Sequence, residues 1–265
     1  MNRLSEAISS EKNLEKKIDI RSRDEKNRDV IIACDFNNKS ELLDFLSLFD
    51  DKKPYVKIGM ELFYAEGPEI VKTIKSLGHK IFLDLKLHDI PNTVKKSIKV
   101  LTAFGIDMLN VHSSGGIKMM KYATEGVIEA CNEYNLRKPT LIGVTQLTST
   151  DQNMLRDELM IDADINDVVL SYAKNAHISG LDGVVCSALE SKIIHDSISS
   201  DFLTITPGIR LEGDDKGDQK RVVTPRKARE LGSDYIVVGR SITKANDPLL
   251  SYEKCINEFI NEFIN

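Results

Sequence analysis

Short, almost uninterrupted apolar runs recur along the chain, each followed by a longer stretch in which apolar residues return every three or four positions. The runs are Val30–Asp35, Tyr55–Gly59, Lys80–Lys86, Met108–His112, Leu141–Leu147, Gly183–Ser187, Phe202–Gly208 and Tyr235–Gly239. A strand that is apolar at nearly every position is buried on both faces, which is the mark of a parallel sheet. The intervening segments, such as ELLDFLSLF, PEIVKTIKSLG, PNTVKKSIKVLTAFG and NDVVLSYAKNAHISG, read as amphipathic helices. The stretch DPLLSYEKCINEFINEFI supplies a last one. Pro68, Pro91, Pro225 and Pro248 stand where helices open, and Gly78, Gly105, Gly180 and Gly232 where they close. Eight strand–helix units predict an α/β fold, a (β/α)8 TIM barrel formed as a single domain over residues 29–265. An open doubly wound sheet is the competing arrangement. Its dinucleotide-binding form is disfavoured, because no G-x-G-x-x-G follows the first strand.

Residues 1–28 read differently. The segment EKNLEKKIDIRSRDEKNR mixes both charge signs and holds few large apolar residues. It is expected to be a charged N-terminal extension, solvated or partly helical, with Leu4, Ile8, Leu14 and Ile18 forming at most a weak stripe. It has no continuous apolar stretch like a secretory signal, and its many acids do not suit a transit peptide. A cytoplasmic location follows as the expectation.

Composition narrows the classes. With 265 residues, 41% of them hydrophobic, the chain buries a large core without covalent staples. A net charge of −5 argues against a nucleic-acid partner, while leaving room for a local basic pocket around a small anion. No apolar run approaches the ~20 residues that span a bilayer, so no membrane partner is expected. Cys34, Cys131, Cys186 and Cys255 are too scattered for a zinc ribbon or a disulfide scaffold.

Parallel α/β folds bind ligands beyond the carboxyl ends of their strands, and the unusual polar residues collect there. Asp35 ends the first run, and Lys57 lies near the end of the second. Asp84 and Lys86 end the third, with Asp89 just beyond. His112 ends the fourth, Thr145, Gln146 and Thr148 close the fifth, Pro207 to Arg210 follow the seventh, and Gly239 and Arg240 follow the eighth. Residues two apart on a strand share a face, so Asp84 and Lys86 of DLKLHD point together into the mouth. Among apolar neighbours such charges are costly unless paired. Lys57 and Asp35 complete an alternating array. One reading is a structural ion pair; the other is chemistry in which a fixed ammonium stabilises a carbanion and then protonates it. TPGIR (Thr206–Arg210) and VVGR (Val237–Arg240) fall on the loops that hold phosphate in this type of barrel. Their plainer reading is glycine turns with solvated arginines. His79, His177 and His195 read as surface residues, and His112 as either a ligand contact or a satisfied histidine. No spacing calls for a metal, and no cofactor motif is present.

FLDLKLHDIPNTV, VKIGMELFYAEGP, VTQLTST, TPGIR and YIVVGRSIT together resemble the orotidine 5′-phosphate decarboxylase family, bacterial type, from Asp29 onward. The resemblance implies cofactor-independent, metal-free conversion of orotidine 5′-phosphate to UMP, the last step of pyrimidine nucleotide synthesis. It implies that Lys86 stabilises and protonates the carbanion, that Asp84 lies beside the substrate carboxylate, and that Lys57 completes the network. Asp35 and Lys57 would hold the ribose, Thr148 the pyrimidine, and Gln219, Arg210, Gly239 and Arg240 the phosphate. Asp89, Ile90 and Thr93 would reach into a partner's site, making a homodimer. Cys34 and the serines of HSSGG depart from the family's usual residues without removing a catalytic group. Two other readings are a magnesium-dependent relative with the same D-x-K-x-x-D and a non-catalytic sugar-phosphate sensor. The first would carry an acidic metal ligand where this chain has Lys57.

Overall fold

The computed structural model describes residues 28–49, 51–214 and 222–261. Eight parallel strands close in sequence order, with the eighth pairing back onto the first. They are β1 (Asp29–Ala33), β2 (Tyr55–Gly59), β3 (Ile81–Leu87), β4 (Met108–His112), β5 (Thr140–Val144), β6 (Gly183–Val185), β7 (Leu203–Thr206) and β8 (Tyr235–Val238). Closure excludes the open sheet and realises the expected (β/α)8 barrel. Residues 1–27, with the weak apolar stripe, lie outside the described residues, as does Gln219.

The strands are apolar throughout because each faces two cores. Ile31, Tyr55, Phe82, Met108, Ile142, Ile205 and Val237 point inward and fill the barrel. Ile32, Ile58, Leu83, Leu109, Val184 and Val238 point outward against the helices. The proline and glycine punctuation holds. Pro91, Pro225 and Pro248 open helices α4 (Pro91–Thr102), α9 (Pro225–Glu230) and α11 (Pro248–Phe259). Gly78, Gly105, Gly180 and Gly232 all take positive φ just past helix ends, the conformation that ends a helix at least cost for glycine. The other helices are α1 (Lys39–Ser47), α2 (Met60–Glu66), α3 (Glu69–Ser76), α5 (Gly116–Tyr134), α6 (Gln152–Asp157), α7 (Ile165–Ile178), α8 (Ala188–Ser197) and α10 (Arg240–Thr243). Among the described residues, no helix is long and apolar enough to cross a membrane.

At the amino ends of the strands, aspartates tie neighbouring strands together. Asp107, before β4, accepts from the Ile81 N–H at 2.8 Å, and Asp182, before β6, accepts from the Leu141 N–H at 2.8 Å. Asp234, before β8, accepts from the Thr204 N–H at 2.7 Å and also meets His195 at 3.2 Å. Two histidines therefore depart from the expected surface role. His195 is half-buried in that pair, and His79 is buried with its Nδ1 2.9 Å from the Pro54 carbonyl, closing the turn before β2. The helix-end context of His79 hid this, because the residue that satisfies it lies on a different loop.

Helices α4 and α5 pack without a side chain between them at Gly126, where an added Cβ would lie 2.4 Å from the Lys95 carbonyl oxygen. Gly126→Ala gains about 1 kcal/mol of helix propensity, whereas overpacking costs about 1–3 kcal/mol. The clash is with backbone, so the loss should prevail, and a thermal melt should show a Tm lower by a few degrees.

Candidate active site

Inward-facing residues at the carboxyl ends of β1 to β3 bring four charges into contact. Lys57 Nζ lies 3.0 Å from Asp35 Oδ1 and 3.4 Å from Asp84 Oδ2, and Lys86 Nζ lies 2.8 Å from Asp84 Oδ1. The expected alternating array Asp35–Lys57–Asp84–Lys86 is therefore formed. Its middle is dry and its ends are open: side-chain exposure is 11% for Lys57 and 10% for Asp84, against 60% for Asp35 and 26% for Lys86.

These contacts fix protonation. Burial alone would pull the Lys57 ammonium down, but the carboxylates of Asp84 and Asp35 outweigh it and hold it above the ordinary lysine range. Burial likewise pushes Asp84 up, but Lys57 and Lys86, with hydrogen bonds from Lys86 and Asn110, bring it below the usual carboxylate range. His112, half-buried beside His88 with ring centroids 5.6 Å apart, is lowered first by burial and then by His88 and Lys86.

The array forms one wall of a cavity of about 650 Å³. Asp35, Lys57, Asp84, Lys86, Thr148, Arg210, Gly239 and Arg240 all line it. Next to the array around the barrel, since β8 pairs with β1, the loops after β7 and β8 bring Arg210 and Arg240 to the same space. Gly208 takes φ +78, which only glycine adopts cheaply, and this turn lets Arg210 N–H reach the Val223 carbonyl at 3.0 Å. The glycine of TPGIR thus serves the turn that aims the arginine. Thr145, which also stood out in the sequence, is buried and donates to the Val185 carbonyl at 2.9 Å.

A family model described as orotidine 5′-phosphate decarboxylase / HUMPS family matches residues 28–255. The chain belongs to this family. Among its relatives, the orotidine 5′-phosphate decarboxylase of Bacillus mycoides (strain KBAB4) is 53% identical over 224 residues, 84% of this chain and 94% of that protein. The one from Lactococcus lactis subsp. cremoris (strain MG1363) is 51% identical over 230 residues, 86% of this chain and 97% of that protein. The crystal structure of orotidine 5′-phosphate decarboxylase from Lactobacillus acidophilus superposes with TM-score 0.79 at 45% identity, covering 88% of this chain and 99% of that one.

Three residues tied to the family by the motif stand apart from the cavity. Asp89, Ile90 and Thr93 are exposed where β3 gives way to α4, and Ile90 presents 68% of its surface. Two others that the sequence did not single out belong to the site. Lys244 lines the cavity. Asn110, buried on β4, donates from Nδ2 to Asp84 Oδ1 at 2.6 Å and accepts from the Lys86 N–H at 2.8 Å. The one clue to it was an asparagine inside the apolar run MLNVH.

Asp84 has a lowered pKa, so its pairing stabilises the fold above the ordinary value of 3.8 and is lost as pH falls through the lower folded value. Asp84→Asn should cost about 3 kcal/mol near pH 7, since it leaves buried ammonium charge underpaired. Urea midpoints should show that gap closing below about pH 4. A gap that stays constant from pH 7 to pH 3 would show that Asp84 is not stabilised as a paired carboxylate.

Proposed function

We infer that the protein decarboxylates orotidine 5′-phosphate to UMP and CO2, the carboxy-lyase step that ends pyrimidine nucleotide synthesis. The observation that carries this reading is the Asp35–Lys57–Asp84–Lys86 array in a cavity that Arg210 and Arg240 also line. The name borne by relatives over 50% identical along nearly their whole length supports it.

The chemistry follows from the charges. The bond between C6 of the pyrimidine and the carboxyl carbon breaks, CO2 leaves, and the electron pair stays on C6. Lys86 Nζ then gives its proton to C6 and recovers one from water. The anion is poorly delocalised, so the site must supply on the order of 20 kcal/mol. An ammonium already aimed by Asp84 in a water-poor cavity stabilises that charge without reorganisation. Asp35 and Lys57 take the ribose hydroxyls, and Thr148 contacts the pyrimidine. Gln219, Arg210, Gly239 and Arg240 hold the phosphate. Asp89, Ile90 and Thr93 complete the site of a second copy, so the active form is a homodimer, and the enzyme works in the cytoplasm.

The reaction is proposed to need no cofactor or metal. Lys57 sets its ammonium between Asp35 and Asp84, where it pairs with both carboxylates and repels a divalent cation. The magnesium-dependent reading of the motif is therefore disfavoured by a charge that is present.

Purified protein in EDTA should convert orotidine 5′-phosphate to UMP, followed by absorbance. Lys86→Ala should lose at least about 10⁴-fold in kcat, because it removes both the proton donor and the electrostatic stabiliser. No turnover by folded protein, or full activity of Lys86→Ala, would overturn the assignment.

The shared site has its own test. Mixing inactive Lys86→Ala with inactive Asp89→Ala under exchange should restore about a quarter of wild-type activity, since half the dimers are hybrids with one intact site each. If each subunit carried a complete site, mixing would restore nothing.

A further inference from the structure

We propose that Asn110 is a positioning residue that aims the Lys86 ammonium by locking both the backbone and the charge partner of that lysine. The inference rests on the reading of Lys86 as proton donor, and three observations converge on it.

The first is a break in the sheet. Pairing of β3 with β4 runs Phe82↔Met108 and Leu83↔Leu109, then resumes at Leu87↔Val111. Four residue steps on β3 thus correspond to two on β4, and Asn110 sits opposite the surplus. A bulge of this kind re-aims side chains but takes N–H groups out of the ladder. The second is strain. Lys86 has φ +50, a left-handed conformation that side-chain-bearing residues adopt at a cost and that persists only when surroundings enforce it. The third is the ring of contacts. Lys86 N–H donates to Asn110 Oδ1 at 2.8 Å, Asn110 Nδ2 donates to Asp84 Oδ1 at 2.6 Å, and Lys86 Nζ reaches the same Oδ1 at 2.8 Å.

That ring explains why the residue is an asparagine. One end must accept from an N–H, while the other must donate to a carboxylate. At neutral pH a carboxamide of this length does both while uncharged. Leucine has the shape and neither function. Aspartate has the acceptor, but as an anion it faces Asp84 and repels it. As a neutral acid it can donate to Asp84 and still accept from Lys86 N–H. The charged and titratable groups near position 110 are Asp84 and Lys86 on β3, Lys57 on β2, and His112 on β4 with His88 beyond it; β5 brings none. Two carboxylates at one site raise the pKa of one of them, so Asn110→Asp should regain function as pH falls.

The test compares wild type, Asn110→Leu and Asn110→Asp. Asn110→Leu should lose about 100-fold in kcat, the scale of a misaimed group, with KM for orotidine 5′-phosphate changed less than about threefold. The kcat of Asn110→Asp, as a fraction of wild type at each pH, should rise about tenfold from pH 8 to pH 5.5. Normalising to wild type removes pH effects that the two proteins share. Amide hydrogen exchange at Lys86 should become at least about tenfold faster in Asn110→Leu while the rest of β3 and β4 stays protected. If wild type shows no decarboxylation yet the Lys86 amide is released, the proposed reaction fails and the positioning role stands. A kcat within about threefold of wild type, or an unchanged Lys86 amide, would overturn the proposal. If Asn110→Leu does not fold, Asn110→Asp decides the matter: a flat pH ratio rejects it, and a rising one supports it.

Discussion

Two ammonium groups and two carboxylates stand at the barrel mouth, and their mutual pairing is what allows any of them to be there. A lone charge moved into such a place costs several kcal/mol, and the cost is offset only where each group touches its opposite in good geometry. The arrangement meets that condition by alternation. Lys57 lies between Asp35 and Asp84, and Asp84 lies between Lys57 and Lys86. The two inner groups are doubly paired and dry, which leaves the outer two open to the cavity. Lys86 is thus held by a neighbour that cannot leave, yet its ammonium still faces the space where a ligand would lie.

The same residue type has opposite duties at the two ends of the barrel. At the base, Asp107, Asp182 and Asp234 each accept from the backbone of an adjacent strand, so their charge is spent on register. At the mouth, Asp35 and Asp84 face side-chain ammoniums. Stability and chemistry are thereby separated along the strand axis, as is usual in this fold. The separation also tolerates strain. The bulge and the left-handed Lys86 occur at the carboxyl end of β3, while the amino end stays in regular register with β2 and β4.

How much of this was legible in the sequence depends on how local each cause is. The strands, the helix boundaries at Pro91, Pro225 and Pro248, and the left-handed glycines follow from patterns spanning a few residues, and they were readable. Asp84 and Lys86 share the mouth as the two-residue period of a strand requires, although a bulge lies between β3 and its neighbour there. Asn110 was not readable, because its meaning lies in the N–H that the bulge frees and in the carboxylate of Asp84, both on another strand. His79 failed for the same reason, since the Pro54 carbonyl that satisfies it lies 25 residues away. Periodicity reports which face a residue takes, but not which long-range partner waits there.

The distribution of charge around the cavity gives the array its direction. Although the chain carries −5 overall, Arg210, Arg240 and Lys244 line the cavity from the segments that follow β7 and β8, next to the neutralised array. Under the proposed reaction, a phosphate drawn to the cationic side contributes binding energy far from the reacting carbon, and that energy offsets the approach of a carboxylate to Asp84. Asp84 cannot avoid the approach by rotating, because Lys57, Lys86 and Asn110 hold both its oxygens. Any repulsion from Asp84 would therefore fall on the bound carboxylate, and it would be relieved as CO2 departs and negative charge shifts to the carbon. A softer aspartate would dissipate that repulsion in its own motion, so the rigidity of its three partners matters as much as its charge.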